Sequence, residues 1–213
     1  MAGELLDRVV LTDRVVTGDA LYCNRKLCEQ VMEAGGDYLM IVKANQKSLY
    51  EDIELCFEEP LSGFYAYAET EGSHGDRRER RRLWATDMLR TYLDWPGQRQ
   101  VLKVESWRAV KGKQTRQVRY AITSLGPRIP AARLMKLVRG HWGIENRLHY
   151  VRDVTMGEDG SQARTDSAPQ MMDAVRNLVV SILRMRGERN IAAAIRKIGW
   201  KPNGALETLG LMI

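Results

Sequence analysis

The chain has 213 residues, 44% of them hydrophobic, which suits one domain with an insertion or two small domains. Lys and Arg total 33 against 27 Asp and Glu, so the net charge is +6 and the pI is about 9.3. No apolar run approaches the roughly 18 residues that a membrane span needs, and the first residues lack the apolar core of a secretory signal. We therefore expect neither a membrane-spanning protein nor a membrane partner.

The three cysteines, Cys23, Cys28 and Cys56, do not have the spacing of a metal-binding pair. An odd number of cysteines without a recognisable secretory signal favours reduced thiols. This predicts a cytoplasmic protein.

The first 60 residues alternate between buried-strand and amphipathic-helix patterns. Val15–Thr17 and Tyr38–Val42 are β-leaning apolar runs, a helix is predicted over 21–35 between them, and another over 46–59. A strand–helix–strand unit of this length predicts a parallel pair with a right-handed crossover. The residues expected to face the core are Leu27, Val31 and Ala34 in the first helix and Leu49, Ile53 and Phe57 (or Cys56) in the second.

Asp19 follows the first predicted strand directly, after Gly18. The carboxyl end of a strand is the usual place for a site in an α/β sheet, which makes Asp19 a candidate ligand or catalytic group. The competing interpretation is that Asp19 caps the N-terminus of the next helix.

From about residue 61 to 130 the pattern changes to alternating and β-branched segments, which predicts an antiparallel β section interrupting an α/β core. Two stretches are rich in Arg and Lys: RRERRR at 77–82 and RAVKGKQTRQVR at 108–119. Clustered cations of this kind attract polyanions, whereas the alternative is a solvated charged surface. The predicted strands are 65–71, 80–84, 100–108 and 117–123, with a turn at 111–113.

After Pro130 the pattern is helical again. A helix over 169–187 has an apolar face, a weaker helix follows over 188–200, and the tail from Lys201 is expected to be irregular. The apolar face consists of Met172, Val175, Leu178, Val179 and Ile182.

The stretch RGHWGIENRLHYVRDVTMGEDGSQAR, residues 139–164, carries the most chemistry. His141, Glu145 and His149 recur every four residues and Arg152 follows three later, so a helix would place all four on one face. A carboxylate between imidazoles and a guanidinium suits a divalent cation and a phosphate. The alternative is a solvated face with weak i,i+4 pairs.

A rival interpretation is a zinc hydrolase with His141, Glu145 and His149 as ligands. It is disfavoured because consecutive ligands on a single helix rarely complete a tetrahedral site.

Two blocks, VVTGDALYCNRKLCEQVMEAGGDYLMIVKANQ (15–46) and residues 139–164, resemble the second half of bacterial insertion-sequence transposases of the DDE superfamily, specifically the H-repeat-associated type. The segment SHGDRRERRRLW (73–84) resembles the linking segment of that family. The resemblance covers essentially the whole chain in order. It implies DNA transposition by strand nicking and 3′-hydroxyl strand transfer, with DNA as the partner.

The resemblance also implies a ribonuclease-H-like α/β fold in which three carboxylates surround two Mg²⁺ or Mn²⁺ ions. Asp19 matches the second Asp of the family and Glu145 the Glu, so both are assigned as catalytic metal ligands. Some relatives carry a Tyr-Arg-Glu-Lys signature, and here Val138, His141 and Arg152 occupy its other three positions.

The nucleic-acid contacts follow from the same comparison. His141, Arg152 and Arg164 are expected to neutralise phosphate near the scissile bond. His74, Arg77 and the Arg run to residue 82, Arg80 among them, are expected to follow the DNA backbone.

The main departure from the family concerns the first Asp, which belongs on a strand well upstream of Asp19. The fold is therefore expected to be an incomplete ribonuclease-H-like core lacking its first strands, with an antiparallel β insertion and C-terminal helices. The expected division is 1–60 for the core carrying Asp19, 61–130 for the insertion, 131–200 for the helical segment carrying Glu145, and 201–213 for the tail.

Without that Asp we expect the chain alone to be inactive, and the alternative function is a non-catalytic DNA-binding remnant or regulator. An open apolar strand edge would also favour aggregation or a homodimer.

Overall fold

The computed structural model describes residues 2–58, 65–144, 150–158, 160–162, 165–201 and 203–209. The chain splits into two compact units, residues 1–141 and 142–213. Helix α4 runs across the boundary between them. The elements up to that boundary are α1 Ala2–Leu6, β1 Val15–Gly18, α2 Arg25–Glu33, β2 Asp37–Val42, α3 Lys47–Cys56, β3 Ala66–His74, β4 Arg77–Thr86, β5 Gln100–Val110, β6 Lys113–Thr123 and α4 Ala131–Ile144.

The six strands form one sheet in the order β1-β2-β6-β5-β4-β3. Strand β1 pairs with β2 in parallel, with Val15 opposite Asp37, and all other pairs are antiparallel. The predicted parallel pair and the predicted antiparallel section are therefore both confirmed. The β-rich section does not form a separate sheet, because β6 is hydrogen-bonded to β2 with Leu39 opposite Thr123.

Helix α2 begins later than the sequence pattern predicted, because the preceding residues form a turn. Asn24 caps the helix by accepting a hydrogen bond from the Leu27 amide at 2.9 Å. The helix buries Leu27, Cys28 and Val31, whereas Ala34, predicted to face the core, is exposed. Gly35 follows at φ +74°, a conformation that favours glycine and ends the helix.

One core of the first unit lies between the sheet and helices α2 and α3. Tyr38, Met40, Ile53, Val101 and Ile122 belong to one buried cluster. Fully burying such side chains stabilises the fold by about 1.5–3 kcal/mol each. In α3 the predicted inward residues Leu49, Ile53 and Phe57 are buried and Cys56 is half-buried.

The second unit is helical in its described residues. It contains a π-helical turn at Val151–Thr155 and the helices α5 Ala168–Met185, α6 Ile191–Gly199 and α7 Gly204–Leu209. Leu183 of α5 packs in a buried cluster with Ile191 and Ala194 of α6. None of the helices in the described part of the chain is long and apolar enough to cross a membrane.

Two expectations about this unit are wrong. Within the tail predicted to be irregular, residues 204–209 form α7, and the Arg186 guanidinium donates to the Glu207 carbonyl at 2.9 Å. Helix α5 buries Arg176, Val180 and Leu183, whereas most of its predicted apolar face is exposed. Packing against α6 determines which face of α5 is buried. Helical periodicity by itself does not distinguish the buried face from the exposed one.

Candidate active site and nucleic-acid interface

Asp19 lies at the carboxyl end of β1, beside the parallel strand β2. Its side chain is half-buried, and Oδ1 accepts a hydrogen bond from the Leu21 amide at 3.0 Å. Because α2 is capped by Asn24, the interpretation of Asp19 as the cap of that helix is wrong. One hydrogen bond leaves Asp19 with further lone pairs for a hard cation, which prefers carboxylate oxygen.

The loop after β2 holds the Asp19 turn in place. Asn45 donates from Nδ2 to the Ala20 carbonyl at 2.8 Å, and Gln46 donates from Nε2 to the Cys23 carbonyl at 3.0 Å. The two loops at the carboxyl edge of the parallel pair are thereby joined. Sequence reasoning did not single out Asn45 or Gln46, although their position just after a buried strand was a signal for this edge.

Gly18 allows the backbone to pass close to β2 immediately before Asp19. A Cβ at this position would lie 2.6 Å from Met40 Sδ and 3.1 Å from Tyr22 Cβ. Any larger residue would therefore require the buried Met40 side chain, or the strand end beside it, to shift.

Glu145 lies outside the described residues, as do His149 and Arg164. Helix α4 is described up to Ile144, the residue directly before Glu145. Within the described ranges, no group of three or more His, Cys, Asp or Glu side chains could hold a metal ion. The assignment of Glu145 as the partner of Asp19 stays a prediction.

His141, near the end of α4, is half-buried. Its Nδ1 is buried and finds no hydrogen-bond partner among the residues that the structure describes. A buried imidazole nitrogen without a partner is costly, and a ligand or a neighbouring group would relieve that cost.

Arg152 lies in the π-helical turn. A π-helix does not keep the α-helical spacing from which Arg152 was predicted to share a face with His141, Glu145 and His149. Its Nε donates to Glu158 at 2.5 Å and its Nη2 pairs with Asp173 at 3.0 Å. The hydrogen bond from Arg152 lowers the pKa of Glu158, and the same bond raises the pKa of Arg152. The guanidinium of Arg152 is thus paired with Glu158 and Asp173 within the second unit. This geometry does not test the predicted contact of Arg152 with phosphate.

The Arg-rich strands carry charge on both faces of the sheet because side chains alternate along a strand. We call one face the Trp107 face and the other the Glu79 face. The Trp107 face carries Arg78, Arg80 and Arg82 of β4 with Trp107 of β5. The Glu79 face carries Arg77, Glu79 and Arg81 of β4 with Arg108 of β5.

Most cations on the Trp107 face are paired. Arg80 is ion-paired with Glu69, and this bond is the main reason that the pKa of Glu69 falls to about 2. Arg82 lies over the Trp107 ring, with its guanidinium carbon 5.1 Å from the ring centroid. Arg78 is exposed, has no ion-pair partner within the described residues, and lines an open groove of about 750 Å³ with Arg80 and Trp107.

The Glu79 face concentrates positive charge around a single carboxylate. Glu79 forms ion pairs with Arg77 and with Arg81, the latter at 2.5 Å, while Arg108 stands opposite Glu79 in the register. Burial, followed by repulsion from Arg108 and Arg81, lowers the pKa of Arg77. Three guanidinium groups around one carboxylate favour an additional anion, such as a phosphate.

The residues predicted to contact the DNA backbone therefore have different surroundings. Arg77 and Arg80 are ion-paired, and His74 ends β3 with its backbone in register with Arg77. Arg78, part of the Arg run at 77–82, and Arg108, the first residue of the basic stretch at 108–119, are exposed cations without an ion-pair partner in the described part of the chain. Period-two alternation, combined with the acidic residues on the neighbouring strand β3, was the signal that could have distinguished them from the paired cations.

The family model for the transposase DDE domain matches residues 1–180. The protein YbfL of Escherichia coli (strain K12) is 31% identical over 194 residues, covering 84% of this chain and 50% of YbfL. The "H repeat-associated putative transposase YhhI" of the same organism is 30% identical over 194 residues, with the same two shares.

A further relative comes from Xanthobacter autotrophicus, an uncharacterised protein in the dhlA 3′ region, which is 33% identical over 126 residues, 57% of this chain and 42% of its own length. The chain spans about half the length of YbfL and YhhI. No solved structure matches the chain.

Proposed function

The chain belongs to the family of transposase DDE domains, and from this we propose that it acts in DNA transposition by metal-dependent phosphoryl transfer. The reaction would nick DNA at the end of a mobile element and then join the freed 3′-hydroxyl to target DNA. Domains of this family imply a ribonuclease-H-like fold and divalent metal ions, which is consistent with the mixed α/β sheet seen here.

The observation that carries the proposal is the position of Asp19. The residue stands at the carboxyl end of a strand in a parallel pair, where ligand sites of α/β sheets lie. Asn45 and Gln46 hold its turn to the neighbouring loop, and Gly18 sets its backbone close to β2. A carboxylate on a turn that is held in this way needs little reorganisation on binding a cation.

Asp19 and Glu145 would hold Mg²⁺ or Mn²⁺, ions that prefer carboxylate oxygen. Bound ions of this kind stabilise the attacking and leaving oxygens of an in-line displacement at phosphorus. Asn45 would act as a positioning residue, because it bonds the residue next to Asp19.

The DNA would be held by cations that are spread along the chain. His141, Arg152 and Arg164 are proposed to face phosphate near the reacting bond. His74, Arg77 and Arg80 are proposed to follow the backbone of the flanking DNA, together with Arg78 and Arg108, which are exposed and not ion-paired within the described residues.

Mn²⁺ binding tests the proposed site. Electron paramagnetic resonance measures free Mn²⁺ in titrations of the chain and of Asp19→Asn, Glu145→Gln and Asp13→Asn. We expect both site variants to weaken Mn²⁺ binding at least tenfold, because each removes a charged oxygen ligand. The control Asp13→Asn changes an exposed acid at the other end of β1 and should bind like the original chain.

Equal Mn²⁺ affinity in all four proteins would contradict the proposed ligands. Nicking of plasmid DNA in Mn²⁺, followed on the same proteins, separates chemistry from binding. Activity that Glu145→Gln abolishes would support the proposed function and establish catalysis by the chain alone, whereas DNA binding without nicking would agree with the non-catalytic alternative.

A further inference from the structure

Helix α6 of the second unit carries two cations and an aromatic side chain close together on its surface. Trp200 follows Lys197 by three residues and Arg196 by four, and residues at these spacings are neighbours on a helix. The Trp200 amide donates to the Arg196 carbonyl at 3.1 Å, so the helical spacing continues as far as Trp200. All three residues are exposed. We call them the α6 patch.

The other side of α6 is covered within its own unit. Ile191 and Ala194 are buried together with Leu183 of α5, and Ile195 and Ile198 pack against the same cluster. This packing anchors the helix without using the α6 patch. It also argues against a lipid surface as the partner, because an amphipathic helix binds a membrane through its apolar side, which is occupied here.

The positive charge of the α6 patch is not balanced within the helix. Helix α6 contains no Asp or Glu, and neither Arg196 nor Lys197 has an ion-pair partner among the residues that the structure describes. The next cation, Lys201, is instead paired with Glu207 at 3.5 Å. Cations near the C-terminus of a helix stabilise it through the helix dipole, which is sufficient reason for Arg196 and Lys197 but not for Trp200.

Trp200 contributes almost nothing to the packing of its unit. It is 89% exposed, so nearly the whole indole ring is open to solvent. A large aromatic side chain normally stabilises a fold by being buried, and Trp200 does not. An open aromatic ring beside unpaired cations suits a single-stranded nucleic acid, because cations attract its phosphates while the ring stacks on an unpaired base.

We propose that the α6 patch binds an unpaired segment of DNA, with Trp200 stacked on a base and with Arg196 and Lys197 beside the phosphates. The inference rests on the proposed function, which makes DNA the partner. A duplex keeps its bases paired and stacked, so an unpaired strand is the form of DNA that offers a base face to Trp200. The α6 patch lies beyond residue 180, where the match to the DDE domain ends, so the site is additional to that domain.

Fluorescence anisotropy with three labelled ligands tests the stacking contact on the whole chain. The ligands are a single-stranded oligothymidine, a hairpin duplex and an abasic phosphodiester of the same length. Trp200→Ala should weaken binding of the single strand by about fivefold or more, because one base loses its stacking partner. Trp200→Phe should retain most of that affinity, since it keeps an aromatic face. The duplex and the abasic ligand should bind Trp200→Ala and the original chain equally.

The matched control for Trp200→Ala is Met185→Ala. Met185 is 88% exposed in the same unit and lies outside the α6 patch, so its replacement should leave the affinity for all three ligands unchanged. Lys197→Gln should weaken binding of all three ligands, and for the single strand it should reduce the slope of log affinity against log salt by about 0.7. Circular dichroism should show equal melting temperatures, because the replaced side chains are exposed.

Photocrosslinking locates the contact without any substitution in the protein. A 5-iodouracil base within the single strand couples to an aromatic ring on which it is stacked when the complex is irradiated. Mass spectrometry of the digested complex then identifies the crosslinked peptide. We expect the crosslink on Trp200.

Three results would overturn the proposal. One is an unchanged affinity of Trp200→Ala for the single strand, and another is a crosslink found only in residues 1–141. The third is an equal loss of affinity for the abasic ligand, which would assign the effect to charge or folding and not to stacking. The Mn²⁺ titrations of the Asp19 and Glu145 variants do not involve the α6 patch, so failure of the proposed function and failure of this inference are distinguishable.

Discussion

At the scale of single residues, the charged β section is organised by cross-strand pairs. Arg80 of β4 is ion-paired with Glu69 and Glu71 of β3, while Glu79 lies between Arg77 and Arg81. Pairs of opposite charge across strands stabilise a sheet modestly. A cation can therefore contribute to the fold or remain available for a phosphate, depending on whether an acid stands beside it.

The titration of Glu69 tests this pairing. The hydrogen bond from Arg80, followed by that from Tyr67, lowers the pKa of Glu69 from its ordinary 4.5 to about 2. Since the folded pKa lies below the unfolded one, the pair stabilises the fold above about pH 4.5, and that contribution is lost as the pH falls toward 2. Nuclear magnetic resonance of the Glu69 carboxyl carbon measures the midpoint directly.

Replacing Arg80 by Gln should raise that midpoint toward the ordinary value, because the main stabilising partner of the charged form is lost. The control Arg78→Gln removes a cation from the same face without breaking an ion pair in the described residues. A midpoint near the ordinary value in the original chain would show that the Glu69–Arg80 bond does not persist in solution.

At the scale of elements, local caps decide where helices begin. Asn24 and Asn190 each accept a hydrogen bond from the amide three residues later, at 2.9 Å and 3.0 Å, and start α2 and α6. The cap at Asn24 leaves residues 19–24 free to form the Asp19 turn. The boundary of α2 is therefore part of how the candidate site is built.

Replacing Asn24 by Ala should lower the free energy of unfolding by about 1 kcal/mol, because an amide at the start of α2 loses its acceptor. Urea unfolding followed by circular dichroism measures the change. The matched variant Asn24→Ser retains a capping oxygen and should lie within a few tenths of a kcal/mol of the original chain. Equal losses in the two variants would indicate that the side-chain cap does not stabilise α2.

At the scale of the whole molecule, one sheet combines two kinds of surface. Its β1–β2 end carries Asp19 at the carboxyl edge, and strands β4 and β5 together carry exposed cations on both faces. The continuous hydrogen bonding from β2 through β6 and β5 connects these two ends within the first unit. Such a sheet is a rigid support for the groups that the proposed function requires.

The proposed DNA binding by this surface should depend steeply on salt. Fluorescence anisotropy with two unrelated duplexes measures affinity at several salt concentrations. We expect Arg78→Gln and Arg108→Gln each to weaken binding similarly for both duplexes and to reduce the slope of log affinity against log salt by about 0.9. The control Lys26→Gln removes an exposed cation from α2, and an equal effect there would show that net charge, not these positions, governs binding.

The sequence predicted more of the fold than of the candidate site. The β1–β2 pair and the inward residues Ile53 and Val31 followed from apolar spacing, because period and burial are linked within one element. The contacts of Asn45 with the Asp19 turn join loops 25 residues apart, and no local pattern encodes them. Glu145 lies outside the described residues, so half of the predicted ligand pair rests on sequence alone.

The sequence by itself determined the family, the parallel strand pair with Asp19 at its end, and the Arg-rich strands. These properties depend on residue order and short-range periodicity, which the chain carries in any conformation. Only the tertiary structure decided which arginines are paired, that β6 joins β2 in one sheet, and which face of α5 is buried. Those outcomes depend on contacts between segments that are distant in the sequence. Such contacts form only when the chain folds.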